Sequence, residues 1–408
     1  MQTVTIAPEA PQPIENPSLT LSIEGAKITS LVATGRNDIL IGGYFFRKAR
    51  IGNHTVIADP TEDPPQVHVF LARAVEGQVQ WAREFPAMDV ALARSSDGIP
   101  WAVLTYERPV ALGSKQYVPQ GKATEDYDWK GPQDLLLWRV NPTGDPVTAV
   151  ALASQTILRN PLAGLAVASD GSPIVLASFK VPVPPIRTGK HPVVIASFDK
   201  DSARHLVSME IPEVADPKKL VLGGSGHLLI AGDDDEVFGG ETVLLRISTD
   251  GKRIARTALG ENAVLALACR PNGNAVAVVG PSRHLTNHQP LKIGETRLLE
   301  VGGDGQIAAS HPLDSAFDII DLAILPSGDV VLFGTKLENE RNWRAWVEVR
   351  GANGESRQSR SIRSGWSEAY ALATESGGAI WVAAREDPQG AQTPLALAKV
   401  TVRRLAAE

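Results

Sequence analysis

At 408 residues the chain exceeds one ordinary domain, yet its 36 glycines and 29 prolines beside only 3 methionines and 5 tyrosines describe many short strands joined by turns. A formal net charge of -6 lacks the basic footprint that nucleic acid demands, and a single cysteine excludes an internal disulfide or a cysteine metal cluster. No run approaches the roughly 20 apolar residues of a membrane helix, so neither nucleic acid nor membrane insertion is expected.

The first residues, Met1 to Pro8, lack the basic start and apolar run of a secretion signal. The compartment is cytoplasmic as the sequence is written and extracytoplasmic if a signal was removed upstream. Residues 1–17, rich in proline, read as a flexible leader. From residue 18 one pattern recurs: an alternating apolar strand, a turn ending in glycine, and a second apolar run that stops at Gly or Ala. Its copies are ITSLVATGRNDILIGG, DVALARSSDGIPWAVL, LAGLAVASDGSPIVLA, KKLVLGGSGHLLIAG, VLALACRPNGNAVAVVG, IIDLAILPSGDVVLFG and AYALATESGGAIWVAA. Their turn glycines, Gly35, Gly98, Gly171, Gly226, Gly273, Gly328 and Gly378, recur at blade-sized intervals of about 50–70 residues. Glycine suits such turns because it accepts positive φ. Cys269 sits within one of these alternations and reads as a small core residue.

A second hairpin follows each of the first six copies, for example VHVFLARAVEGQVQWAREF and TVLLRISTDGKRIARTAL. After the seventh copy only one strand remains, LALAKVTVRRL. The missing partner is LTLSIEG at the other end of the chain. The expected fold is therefore all-β: a single seven-bladed propeller over residues 18–408, built of four-stranded antiparallel blades and closed by pairing the N-terminal strand with the C-terminal blade. Such closure removes two exposed sheet edges.

The succession VFLARAVEGQVQWAREF, then DVALARSSDGIPWAVL, resembles the bacterial β-propeller repeats called SBBP repeats, while LALACRPNGNAVAVVG and LLRISTDGKRIART resemble the related delta-60 repeats. The resemblance covers most blades and implies a bacterial envelope or secreted protein. It transfers no catalytic residues. Ile380-Trp381 resembles the Ile-Trp dipeptides of streptogramin-lyase-like propellers but occurs once, and Trp381 reads as a core residue. The Gly-His and Trp-Asp signatures of WD40 blades are absent.

Strand order sorts the loops. The first and third connections of each blade are tight glycine turns on one face, and the second connections are long and meet on the other. Loops on a rigid scaffold concentrate binding residues, so the binding candidates are Tyr44, Phe46, Tyr106, Arg108, Tyr117, Tyr127, Trp129 and Trp343, in the aromatic and arginine class that dominates protein interfaces. The competing expectation is that these side chains pin their own loops to the blades. At the channel mouth, Asp89, Glu261, Asp318, Asp321 and Glu368 stand near the starts of inner strands, where paired carboxylates serve glycoside cleavage or lyase chemistry.

The run Asp233, Asp234, Asp235 and Glu236 offers oxygen ligands for calcium without EF-hand spacing. His284 and His288, bracketed by Pro281 and Pro290, have helical ligand spacing in what reads as a loop. The glycine clusters at 223–226 and 302–305 are hairpin turns rather than phosphate cradles, having no helix behind them. Asn53-His54-Thr55 fits a glycosylation acceptor in an exposed loop. No serine elbow or triad is legible. The expected function is a noncatalytic scaffold holding a protein or a glycan, without a cofactor; the alternative is a hydrolase or lyase at the channel mouth.

Overall fold

The structure, a computed structural model, describes residues 19–405 apart from 63–64, 96–97, 121–132, 157–161, 179–192, 224–225, 235–240, 250–251, 261, 282–295, 315–316, 340–341, 363–366 and 387–398. Every element among these residues is a β-strand.

Sheet I contains eight strands, joined through one continuous strand, β1 (Leu19–Gly35). Its half Ia consists of the C-terminal part of β1, β2 (Asp38–Ile51), β4 (His68–Val75) and β5 (Gln78–Phe85), with β3 (His54–Ile57) added to the end of β2. Its half Ib consists of β28 (Ser367–Thr374), β29 (Ile380–Glu386), β30 (Lys399–Leu405) and the N-terminal part of β1, which pairs with β30 from Leu19↔Arg404 to Glu24↔Lys399.

The other large sheets have four strands each. Sheet II is β6 (Asp89–Arg94), β7 (Pro100–Tyr106), β10 (Gln133–Val140) and β11 (Pro146–Thr156); sheet III is β12 (Leu162–Val167), β13 (Pro173–Ser178), β14 (Val193–Phe198) and β15 (His205–Glu210). Sheet IV is β16 (Asp216–Leu222), β17 (Leu228–Asp233), β18 (Thr242–Ile247) and β19 (Arg253–Ala258); sheet V is β20 (Asn262–Cys269), β21 (Ala275–Pro281), β22 (Arg297–Val301) and β23 (Ile307–Pro312). Sheet VI is β24 (Phe317–Ile324), β25 (Val330–Asn339), β26 (Asn342–Arg350) and β27 (Ser356–Ser361), and β8 (Val110–Leu112) and β9 (Lys115–Tyr117) form a separate hairpin.

Successive sheets stack face to face. The first strands are neighbours in the order β1, β6, β12, β16, β20, β24, β28 and back to β1. Because side chains alternate between the two faces of a strand, each middle strand feeds two cores: in β10, Leu136 and Trp138 pack toward half Ia while Leu135 and Leu137 pack toward sheet III. This explains why LLLWRV and PIVLAS read as continuous apolar runs rather than alternations. A hydrophobic cluster fills each seam, and each fully buried Leu, Val or Ile in it contributes about 1.5–3 kcal/mol.

The glycine that ends the second run of the repeat has a steric cause. Six first strands carry a β-bulge, for instance between Ile28 and Ser30 and between Ile319 and Asp321. A bulge bends its strand toward the partner, and a Cβ on Gly43 would lie 2.1 Å from the Lys27 carbonyl oxygen, one on Gly334 2.2 Å from that of Asp318. Only glycine fits there.

Three expectations are corrected. LTLSIEG and the first inner strand form the single strand β1, because the chain crosses between half-sheets without a turn, with a bulge at Gly25. In the first hairpin the left-handed residue is Asn37 (φ 58°) rather than Gly35, since the turn is only Arg36-Asn37. The long second connections are partly strand: β2 runs on to Ile51 and hairpins into β3, and β25 and β26 pair out to Asn339↔Asn342. The leader lies outside the described residues.

Candidate binding face and channel

On the long-connection face, β2 and β3 extend beyond half Ia as a hairpin. Ala49, Ile51 and Val56 turn inward and are buried, while Phe46, Lys48, Arg50, Thr55 and Ile57 are exposed. Phe46 and Ile57 are 42% and 59% exposed, which matters because large apolar groups are normally withdrawn from water. With Glu24, Gly25, Arg47, Lys48 and Arg50, Phe46 lines a cavity of about 490 Å³. Tyr44 is half-buried beside it, its ring edge-on to Phe46 with centroids 6.2 Å apart. Asn53 is exposed in the turn between β2 and β3, and the His54 ring nitrogen Nε2 contacts the Val79 carbonyl at 3.2 Å.

Below this hairpin a buried cluster holds the connection from β3 to β4. His68 is 2% exposed, with Nδ1 2.5 Å from Glu84 Oε1 and Nε2 3.0 Å from Glu62 Oε2. Arg108 pairs with the other oxygen of Glu62 and donates to the Val67 carbonyl at 2.8 Å. Burial opposes a charge on His68, but hydrogen bonds to Glu84 and Glu62 outweigh it and raise its pKa. Burial likewise opposes the Glu62 carboxylate, and His68 and Arg108 overcome it, so Glu62 titrates below its ordinary range. Arg108 therefore ties two sheets together.

Tyr106 is fully buried in the seam between half Ia and sheet II rather than on the rim, because it alternates into the same core as Leu104 and Trp138. Burial raises its pKa, and Asp134 and Tyr117 add to the shift. Tyr117, on β9, packs half-buried against that core. Trp343 is half-buried on β26, opposite Leu337. Tyr127 and Trp129 lie outside the described residues.

Asp89, Asp318, Asp321 and Glu368, expected at the channel mouth, lie on first strands, which neighbour one another in turn. Asp321, just past the bulge of β24, accepts hydrogen bonds from the Leu322 and Leu372 amides, the former at 2.9 Å. Its carboxyl is hemmed in by protein though partly wetted, and burial raises its pKa against the pull of Lys219 and the two amides. Lys219 belongs to sheet IV, with sheet V between, and its charge still reaches Asp321. Near the joint of Ib and Ia, the Lys27 ammonium lies 5.5 Å from the centre of the Tyr370 ring. Burial raises the pKa of Tyr370, Glu368 adds to it, and a hydrogen bond from Arg385 opposes it. Glu368 stands opposite Arg385 in register. Asp89 accepts from the Val90 amide at 2.8 Å, and Asp318 stands opposite Thr335. Glu261 lies outside the described residues.

The acidic run is partly neutralised. Thr242 donates to Asp233 at 2.7 Å, Lys218 approaches Asp233 at 4.0 Å, and Arg256 pairs with Asp234 at 3.4 Å. Asp235, His284 and His288 lie outside the described residues, and among the described residues no group of three His, Cys, Asp or Glu is arranged to hold a metal. Gly226 and Gly305 have positive φ in hairpin turns, and Cys269 packs half-buried against the core between sheets IV and V. Trp381 is buried and donates its indole N–H to Glu375 at 2.8 Å.

Reading the sequence missed the His68 cluster, Lys219 and Tyr370. His68 and Glu84 were visible only as members of strands. The bulges beside Tyr370, Asp321 and Lys219 leave no mark on the first strands themselves; Gly334 and Gly232 stand opposite the latter two, but Ala384 stands opposite the first.

No protein-family model matches the chain, and no curated protein matches it. Among solved structures it is similar to a catalytically inactive virginiamycin B lyase from Staphylococcus aureus with quinupristin, at 12% identity over 94% of this chain and 96% of that one (TM-score 0.52). It is similar to the Dos1 propeller at 10% identity, over 96% of this chain and 95% of that one (TM-score 0.51). It is also similar to the β-propeller domain of the trilobed protease from Pyrococcus furiosus at 9% identity, over 89% and 92% (TM-score 0.50). Likeness at this identity is one of fold, and the fold is a β-propeller.

Proposed function

We propose that the protein is a closed ring of seven four-stranded blades, its last blade completed by Leu19–Glu24, and that it serves as a noncatalytic scaffold binding a partner protein through the long-connection face. The neighbour order of the first strands and the hydrophobic cluster in every seam support the ring. The resemblance to SBBP and delta-60 repeats supports a bacterial envelope or secreted setting.

The observation that carries the binding reading is the outward side of the β2–β3 hairpin. Phe46 and Ile57 lie exposed beside Lys48 and Arg50, in a chain of net charge -6, while the inward side is locked into the core. An aromatic anchor among cations fits an acidic, partly apolar protein surface; a glycan stacking on Phe46 is the second ligand class. Affinity capture from the producing cells tests it, comparing the native chain with the triple variant Phe46→Ser, Lys48→Glu, Arg50→Glu. Partners lost at unchanged Tm support the reading. The same partners retained by the variant overturn it.

One observation favours a hydrolase or lyase. Asp321 has a raised pKa beside Lys219, and a carboxyl held toward its protonated form donates protons well. Glycoside or lyase turnover that vanishes in Asp321→Asn would support this reading; a substrate screen without turnover counts against it.

A further inference from the structure

One position on the third strands, just before the outer turn and its bulge, is an arginine in three sheets, Arg73 in half Ia, Arg139 in sheet II and Arg246 in sheet IV; it is Ser197 in sheet III, Glu300 in sheet V and Val349 in sheet VI. The arginines cross the seam on the tight-turn face and donate to main-chain carbonyls of the next sheet's outer turn. Arg73 reaches Pro142 at 2.8 Å, Arg139 reaches Lys200 at 3.5 Å and Arg246 reaches Gly302 at 3.5 Å. A serine is too short to cross. Between sheets III and IV the same place is hollow.

The hollow is a cavity of about 630 Å³, against about 210 Å³ at the seam that Arg73 spans. Corresponding turns line both: those at Ala168–Ser172, Gly226–Leu228 and Ser248–Thr249 in one, those at Thr34–Asp38, Gly98–Pro100 and Asn141–Pro142 in the other. Thr249 lines the larger cavity and occupies the turn position held by Pro142 and Lys200, each directly following a residue whose amide closes its turn (Ser248, Asn141, Asp199). The walls are apolar, with Ile174, Ile195, Leu206 and Met209, and the one carboxylate in the lining is Asp170; no lysine or arginine is present in it. Volume, apolar walls and convergent polar groups are those of a ligand pocket.

We propose that this cavity binds an arginine side chain from a partner polypeptide, which takes the place that the chain's own arginines fill at three other seams. The alkyl stem lies on the apolar wall, as long cationic side chains do. The guanidinium donates to the Thr249 carbonyl and faces Asp170, whose oxygens already hold the Ser172 amide at 2.9 Å and hydroxyl at 3.1 Å. A peptide is favoured over a lone guanidinium because the extra volume exceeds what the internal arginine fills at the homologous seam.

Isothermal titration of the full chain with acetyl-Gly-Arg-Gly-amide, the citrulline counterpart and agmatine tests it. The arginine peptide should bind at least tenfold more tightly than either. Ser197→Arg should abolish binding, and Asp170→Asn, which keeps an oxygen for the Ser172 cap, should weaken it several-fold if the first variant misfolds. Equal binding of arginine and citrulline peptides, no binding at millimolar concentration, or binding unchanged in both variants overturns the site. Agmatine binding as tightly as the peptide overturns the polypeptide as occupant.

Discussion

The seam where the two ends of the chain meet and the seam between sheets III and IV solve the same packing problem in opposite ways. At the first, Glu375 accepts from Arg404 at 2.7 and 2.8 Å, from the Trp381 indole at 2.8 Å and from the Asn37 amide at 3.1 Å, linking β28, β29, β30 and the first turn. At the second, a serine faces a hollow. The apolar cores beneath both are continuous. Hydrophobic burial thus holds the stack together at both seams, and the polar groups near the surface decide whether a seam is latched or left hollow.

The largest expected effect comes from unlatching the first seam. Glu375→Ala leaves Arg404 and the buried Trp381 N–H without their acceptor, and should cost about 3–5 kcal/mol in denaturant unfolding. Burial opposes the Glu375 charge, but Arg404, Trp381 and Asn37 outweigh it and lower its pKa. Its stabilisation is therefore present above the unfolded carboxylate value and drains as pH falls through the lower folded one. An unfolding difference between native chain and variant that does not shrink in acid would break this account.

His68 should behave in the opposite sense. Its raised pKa means that the stabilisation is complete below the unfolded histidine value and is lost as pH rises through the folded one. His68→Gln should destabilise by about 2–3 kcal/mol in mild acid and by less at alkaline pH, a difference that paired melts at two pH values would read.

Converting one seam into the other sharpens the comparison further. Arg73→Ser should cost about 1–3 kcal/mol, since it frees the Asp38 carboxylate as well as Pro142. The converse, Ser197→Arg, should raise Tm by a few degrees if the hollow accepts the side chain as the neighbouring seams do; a lowered Tm would show that the two seams are not equivalent. The smallest effect belongs to Phe46→Ser with Lys48→Glu and Arg50→Glu, exposed positions whose loss should change stability by roughly 0.5 kcal/mol or less and register only in partner binding.

The candidate face was legible in part. Strand order led to the β2–β3 end of half Ia, where Phe46 is exposed and Tyr44 half-buried. Tyr106 and Arg108 looked equivalent to Phe46 in a list of aromatic and basic residues, yet one packs beneath Trp138 and the other is held by Glu62 and Val67. Parity along a strand separates Tyr106 from Phe46, and that parity depends on where β7 ends, which the residues between Tyr106 and Gln133 obscure. The serine at position 197 was in plain view among its arginine counterparts, but its meaning requires knowing what each arginine reaches.

Hairpins, their turns and the unpaired strand at each end were written in the residues themselves, because alternation and positive-φ turns are local properties that a few neighbours specify. The latch at Glu375, the clamp on His68 and the hollow beside Ser197 arise only when separate sheets or half-sheets face one another. Those features join groups distant in the chain, and no local pattern encodes what a side chain meets across a seam.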